Sequence, residues 1–229
     1  MQDRKLHVLQ ELLSLHRSPH YLEIGVRAGE RFHGVKAAKK VAVDPVFKFP
    51  TAKARETHPE AAYHEVTSDT YFGQIASPSD QFDVIYLDGL HTFEQTLRDF
   101  TNSIEHLSDK GTIVIDDVVP VSYFASIGDL ALFRSLRASN ENIPRSWMGD
   151  VFRLVYFIDS FFQNYEFRTT LVQPQLVVWR GRRGSVPDRR VESVARMGFE
   201  RVLIDKEVFR FAHFPEILEQ VRSSLHARP

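Results

Sequence analysis

Short apolar runs, each closed by an acid or a glycine and followed by a stretch of helical period, recur along most of the chain. His20 to Gly25, Val41 to Asp44, Ala61 to Val66, Phe82 to Leu87 and Gly111 to Asp117 read as strands. Ahead of them, Asp3 is placed to cap a helix whose Leu6, Leu9, Leu12, Leu13 and His16 share one side, with Pro19 as its stop. A second helix is expected after Gly29, through about Lys39, and Thr67-Ser68-Asp69 starts a short one that runs through Ile75. Between Leu87 and Gly111, Thr92 and Gln95 are spaced as a capping box, and Phe93, Leu97, Phe100, Ile104 and Leu107 form one apolar stripe. Alternation of this kind predicts a mostly parallel sheet, helices on both faces, and right-handed crossovers.

The rhythm changes beyond Pro120. Val121 to Met148, helical near Ile127 to Arg137, suits a cover over the rim of the sheet. Gly149-Asp150 opens a helix carrying Val151, Leu154, Val155, Ile158 and Phe162, and Asp150 is as well suited to capping it as to joining a site. Glu166 to Val172 and Gln175 to Trp179 read as an antiparallel hairpin that finishes the sheet. From Arg180 to Arg190 the chain turns basic and reads as a solvated linker. The expected division is a domain over 1–180, with an N-terminal helical segment over 1–18, and an extension over 181–229. In the extension, Val191 to Met197 suggests a helix, Arg201 to Asp205 a strand, and the residues after Pro215 a last helix.

Charge narrows the partners. With 29 basic against 30 acidic residues the net charge is -1, so no overall field draws nucleic acid or an anionic membrane, and a small-molecule partner is expected. No run is long and apolar enough for a membrane span or a secretory leader, which points to the cytoplasm. The absence of cysteine removes thiolate zinc sites, disulfides and thiol nucleophiles together. A homo-oligomer is left open.

In an open parallel sheet, ligands collect outside the carboxyl ends of the strands. Asp88, His91, Asp116 and Asp117 follow two such ends and meet if their strands are neighbours. Asp88, Asp116 and Asp117 are hard oxygen donors suited to Mg2+ or Mn2+, and His91, with an ordinary pKa of about 6.5, suits a general base. Glu23-x-Gly25-x-x-x-Gly29 lies at a strand-to-helix turn where a ligand can approach the backbone. Asp44 ends the next strand, placed to accept hydrogen bonds from ribose hydroxyls.

Taken in order, Tyr21 to Gly29, Val43-Asp44-Pro45, Ser68-Asp69, Tyr86 to Phe93, Gly111 to Asp117 and Trp147 to Val151 resemble the class I S-adenosylmethionine-dependent methyltransferases. Within that class they are similar to the methyltransferase 24 branch of small-molecule O-methyltransferases, related to the macrolide-sugar and catechol enzymes. The resemblance implies a Rossmann-like doubly wound α/β fold with a C-terminal antiparallel hairpin. It implies that Glu23, Gly25 and Gly29 line the methionine moiety of S-adenosylmethionine, that Asp44 holds the ribose, and that Ser68 and Asp69 lie beside the adenine. Asp88, Asp116 and Asp117 would hold Mg2+ or another divalent cation, with Asp88 also expected among the cofactor-binding and catalytic residues. His91 stands at the spacing from Asp88 where the sugar enzymes carry a histidine base and the catechol enzymes a lysine. Two positions depart from the pattern: Arg27 stands where many members have the middle glycine of the loop, and Lys110 replaces the first of a glycine pair. The expected reaction is metal-assisted O-methylation of a sugar, polyketide or catechol-like hydroxyl. The rival readings are a nucleoside-binding protein without catalysis and an NAD-dependent oxidoreductase, the latter disfavoured by the missing Gly-x-Gly-x-x-Gly loop.

Overall fold

The computed structural model describes residues 3–226, so Met1, Gln2 and the last residues of the 181–229 extension lie outside the described residues. The elements run α1 (Arg4–Leu13), β1 (His20–Ile24), α2 (Glu30–Gly34), β2 (Lys39–Val43), α3 (Thr51–Thr57), β3 (Ala61–His64), α4 (Ser68–Thr70), β4 (Phe82–Leu87), α5 (Phe93–Glu105), β5 (Leu107–Ile115), α6 (Leu130–Ser139) and α7 (Phe152–Phe161). Then come β6 (Tyr165–Thr170), β7 (Leu176–Arg180), α8 (Val191–Ala195), α9 (Glu200–Ile204), β8 (Phe211–Ala212) and α10 (Phe214–His226). Among the described residues they form an eight-stranded sheet in the order β3-β2-β1-β4-β5-β7-β6-β8.

The first five strands are parallel, β7 runs antiparallel to both β5 and β6, and β8 lies parallel to β6. Alternate residues of each central strand point to opposite faces. Leu22, Ile24, Ile85, Leu87, Ile113 and Ile115 meet Phe100 of α5 and Leu154, Val155 and Ile158 of α7. Tyr21, Val84, Tyr86, Val114, Val177 and Trp179 meet Leu9, Leu12 and Leu13 of α1 and Ile217 and Val221 of α10. Burial on both faces explains why these strands read as unbroken apolar runs rather than as alternating ones.

Several expected elements are redrawn. The helix after Gly29 ends at Gly34 instead of near Lys39: Val35 is already extended, and buried Lys40 folds back from β2 to donate Nζ to the Phe32 and Val35 carbonyls at 3.1 and 3.2 Å. Leu107 belongs to β5 and not to the stripe of α5. The capping box is half made: Thr92 Oγ1 accepts from Gln95 N at 3.3 Å, but the Gln95 side chain turns instead to Ser68, Asp69 and Asp99. Asp150 caps a different helix from the one expected, its Oδ1 accepting from Phe93 N, the first residue of α5, at 2.7 Å. Helix α3 has no counterpart in the sequence reading.

Arg201 to Asp205 is helical rather than extended: Arg201 pairs with Asp205 one turn on, and of the apolar run Val202 is buried while Leu203 and Ile204 are exposed. A short apolar run does not by itself separate helix from strand. Nor is Arg180 to Arg190 solvated throughout. Arg183 is 4% exposed and donates Nη1 to Asp159 Oδ1 at 2.9 Å, and Arg189 and Arg210 converge on the same carboxylate. One carboxylate thereby fastens three positions of the tail to α7, beside the strand and helix that the tail adds to the sheet and its core.

Candidate active site

The hydrogen-bond ladder continues one step past each strand end, and that step places the polar residues. Asp44 N donates to His64 O, Gly25 N to Val43 O, Asp88 N to Ile24 O and Asp116 N to Leu87 O, at 2.9–3.2 Å. The residue after each strand is thus pinned by its neighbour's last carbonyl, and the four ends open together onto one cavity of about 950 Å³. Glu23, Gly25, Gly29, Asp44, Ser68, Asp88, His91 and Asp117 all line it. Asp69 does not; it is half exposed, held by Gln95 and Arg98.

At the turn after β1, a side chain on Gly25 (φ 90°) would come within 2.0 Å of Asp88 O, so only glycine lets the two loops touch. Arg27 takes the left-handed region at φ 50°, where the common glycine would rest without strain. Its N–H donates to Asp44 Oδ2 at 2.7 Å, while Val46 N donates to Oδ1 at 2.8 Å, so the acid at the end of β2 is fixed by the loop after β1. Glu23 is 2% exposed and accepts from Tyr21 Oη at 2.7 Å. Burial raises its carboxyl to about 8, against the lowering effect of that hydrogen bond, so at neutral pH the wall of the cavity carries a largely protonated acid.

At the ends of β4 and β5, Asp88, His91 and Asp117 present one ligand atom each within 4.8 Å of one another. His91 Nδ1 lies 2.7 Å from Asp117 Oδ2, and Nε2 lies 3.5 Å from Asp88 Oδ1. Burial alone would lower the imidazole, but hydrogen bonds and charge from Asp117 and Asp88 outweigh it and raise it to about 10. Asp117 sits in the left-handed region at φ 58°, a strain of the kind that gathers at functional sites. The cover closes over this group: Trp147 stacks on His91 at 5.4 Å between ring centroids, and its indole N–H is anchored to Ile127 O at 2.6 Å. A side chain on Gly149 (φ 60°) would strike His91 O at 1.5 Å.

Asp116 is not part of that group. Following the alternation of β5 it shares the face of Val114 and Tyr86, where Lys5 of α1 pairs with its Oδ2 and Tyr86 Oη donates to the same oxygen at 2.6 Å. Arg31 of α2 donates to Asp88 Oδ2 at 2.9 Å, and Asp3 Oδ2 lies 3.6 Å from Arg31 Nε. Lys5 and Arg31 both line the cavity and carried no signal in the sequence, since an isolated basic residue on an amphipathic helix has no spacing to mark it. Gln95 and Asp99 were missed too. They close the cavity beside Ser68, where burial raises the Asp99 carboxyl.

A sheet of this order, with a glycine turn after β1, an acid after β2 and polar residues after β4 and β5, is the class I S-adenosylmethionine-dependent methyltransferase fold. Residues 22–118 match the family model described as "Methyltransferase domain", in the methyltransferase 24 family. No curated protein matches in sequence. Solved structures show the same fold at low identity. An O-methyltransferase from Bacillus cereus in complex with SAH is 14% identical, with a TM-score of 0.54 over 79% of this chain and 82% of that one. TomG, an O-methyltransferase from Streptomyces achromogenes involved in tomaymycin synthesis and solved with SAM, is 12% identical, with a TM-score of 0.50 over 79% and 81%. MycE, a methyltransferase of the mycinamycin biosynthetic pathway solved with Mg, SAH and mycinamycin VI, is 16% identical, with a TM-score of 0.50 over 81% of this chain and 51% of its own.

Proposed function

We propose that this enzyme moves the methyl group of S-adenosylmethionine to a hydroxyl of a small-molecule acceptor, at the mouth of the cavity between His91 and Asp117. The observation that carries this reading is the division of one cavity into two chemistries: a buried acid and glycine turns at one end, an imidazole between two carboxylates at the other. Glu23, Gly25 and Gly29 would receive the amino-acid moiety of the cofactor, Asp44 the ribose, and Ser68 with Gln95 and Asp99 the base. When bound, S-adenosylmethionine supplies an electrophilic methyl group on a sulfonium, so a carbon–oxygen bond forms as the carbon–sulfur bond breaks and the hydroxyl proton is left to be taken up.

His91 is the group assigned to that proton. Held by Asp88 and Asp117 it rests as the imidazolium, so it must shed a proton before it can take one. Trp147 keeps the ring in plane and covers it from solvent on one side. The donor set Asp88, His91 and Asp117 also suits a divalent cation, through two hard carboxylates and an imidazole. Such an ion would acidify and orient a bound hydroxyl and compete for the carboxylates that hold the His91 proton. Asp116, the third ligand expected from the sequence, is engaged by Lys5 and Tyr86.

Two measurements decide the reading. Titration calorimetry should show that S-adenosylmethionine and S-adenosylhomocysteine bind and that NAD does not. Incubation with radiolabelled S-adenosylmethionine and a panel of sugar, polyketide and catechol hydroxyls, with and without Mg2+, should give a labelled product that resists the mild base that cleaves methyl esters. Failure to bind either sulfur ligand would sink the proposal.

A further inference from the structure

The acidic centre is neutralised differently on its two sides. Facing the cavity mouth, Asp88 Oδ1 and Asp117 share the imidazole of His91. Facing α1, Asp116 is 4% exposed and its oxygens are taken: Oδ2 by the Lys5 ammonium and the Tyr86 hydroxyl, Oδ1 by Asp117 N at 3.0 Å. Asp88 is divided between the sides, since its Oδ2 belongs to Arg31 at 2.9 Å with Tyr86 Oη at 3.4 Å. The reach of Lys5 is fixed by the first turn of α1, where Asp3 Oδ1 accepts from Lys5 N at 3.0 Å while its other oxygen faces Arg31. An ammonium held on a buried carboxylate both uses its lone pairs and repels a second cation.

We propose that Lys5 is a tethered counter-cation that withholds Asp116 from the cation site. A divalent ion entering the centre then meets only Asp88, His91 and Asp117 and is held weakly. The inference rests on the methyl-transfer reading only in taking the cavity mouth as the place where the ion enters. It makes α1, a helix outside the strand-end motifs, the element that sets metal affinity. Lys5 on Asp116 and Arg31 on Asp88 are fixed charges placed against two of the three carboxylates.

The test is binding of Mn2+ alone to the full chain, followed by calorimetry for wild type, Lys5→Met and the double variant Lys5→Met/Asp116→Asn. Freed from Lys5, Asp116 becomes a ligand, so Lys5→Met should bind Mn2+ about tenfold or more tighter than wild type, and the double variant should lose that gain. Should Lys5→Met not fold, Lys5→Gln, which keeps a donor toward Asp116 without the charge, is read by the same criterion. Equal Mn2+ affinity in wild type and a folded Lys5 variant overturns the proposal, as does a gain that survives in the double variant or an absence of Mn2+ binding in all of them. S-adenosylhomocysteine titrated into the same samples reports separately on the methyltransferase reading: its failure to bind would refute that reading and leave the Mn2+ comparison standing.

Discussion

His91 and Asp117 are joined at 2.7 Å, and each comes from a different strand end: Asp117 two residues past β5, His91 from the loop that enters α5. With Asp88 on the other nitrogen, the pair holds its proton up to a pKa of about 10, against an ordinary imidazole value of 6.5. A base must be deprotonated to act, so without added metal the methyl-transfer rate should climb about tenfold per pH unit and level off only near pH 10. Mg2+, by drawing on the two carboxylates, should move that limb to lower pH. A pH–rate profile with and without a chelator measures both, and a flat profile between pH 6 and 9 would remove His91 from the role of base.

Glu23 carries the opposite kind of consequence. Its carboxyl is raised from 4.5 to about 8 in the folded chain, so folding favours the protonated form. The stability this gives is fully present below pH 4.5 and is lost as pH rises through about 8. Glu23→Gln should flatten that loss, visible as a thermal midpoint that falls less than that of wild type between pH 5 and 9. An ammonium bound beside Glu23 favours its carboxylate. Binding of S-adenosylhomocysteine at pH 7 should therefore release a proton in wild type and not in the variant, measured as a dependence of the binding heat on the ionisation heat of the buffer.

Arg27 is a residue that pays a conformational penalty at φ 50°. Its backbone, not its side chain, holds Asp44. Arg27→Gly should then keep the Asp44 contact and relieve about 1 kcal/mol of strain, raising the thermal midpoint by roughly 2–4 °C. A fall in midpoint would show that the arginine side chain stabilises the loop by more than its backbone costs.

Gly149 predicts the reverse. A methyl group there would overlap His91 O at 1.5 Å, so Gly149→Ala must push the cover away from the α5 entry. We expect a loss of roughly 1–3 kcal/mol in stability and a fall in turnover of about tenfold or more from the misplaced imidazole. Turnover at the wild-type level in the folded variant would mean that the cover does not position His91.

What the sequence disclosed follows from what sets each feature. Strand ends are local: Asp44, Asp88, Asp116 and Asp117 follow apolar runs whose length and order specify the sheet, and the structure brings them to one rim. The direction in which each then points is not local. Asp116 and Asp117 are adjacent, yet one carboxylate pairs with Lys5 and the other with His91. Lys5 lies 111 positions from its partner and Arg31 lies 57 from Asp88, separations over which no periodicity carries. The same reason hid the true partner of Asp150, which sits beside the helix it precedes but caps one 57 positions earlier. In the tail, Asp159 gathers Arg183 and Arg189, from a basic run that reads as solvated charge, together with Arg210 from further along the chain.

The stacking of Trp147 on His91, with the rings within 4° of parallel, gives the enzyme an optical reporter of its own chemistry. The chain has two tryptophans, and the other, Trp179, is packed in β7 within the sheet core. An imidazolium quenches indole emission far more than a neutral imidazole does. The fluorescence of Trp147 should therefore brighten whenever His91 gives up its proton, whether to rising pH, to a metal ion or to an arriving acceptor, and these events can be followed in real time without a label.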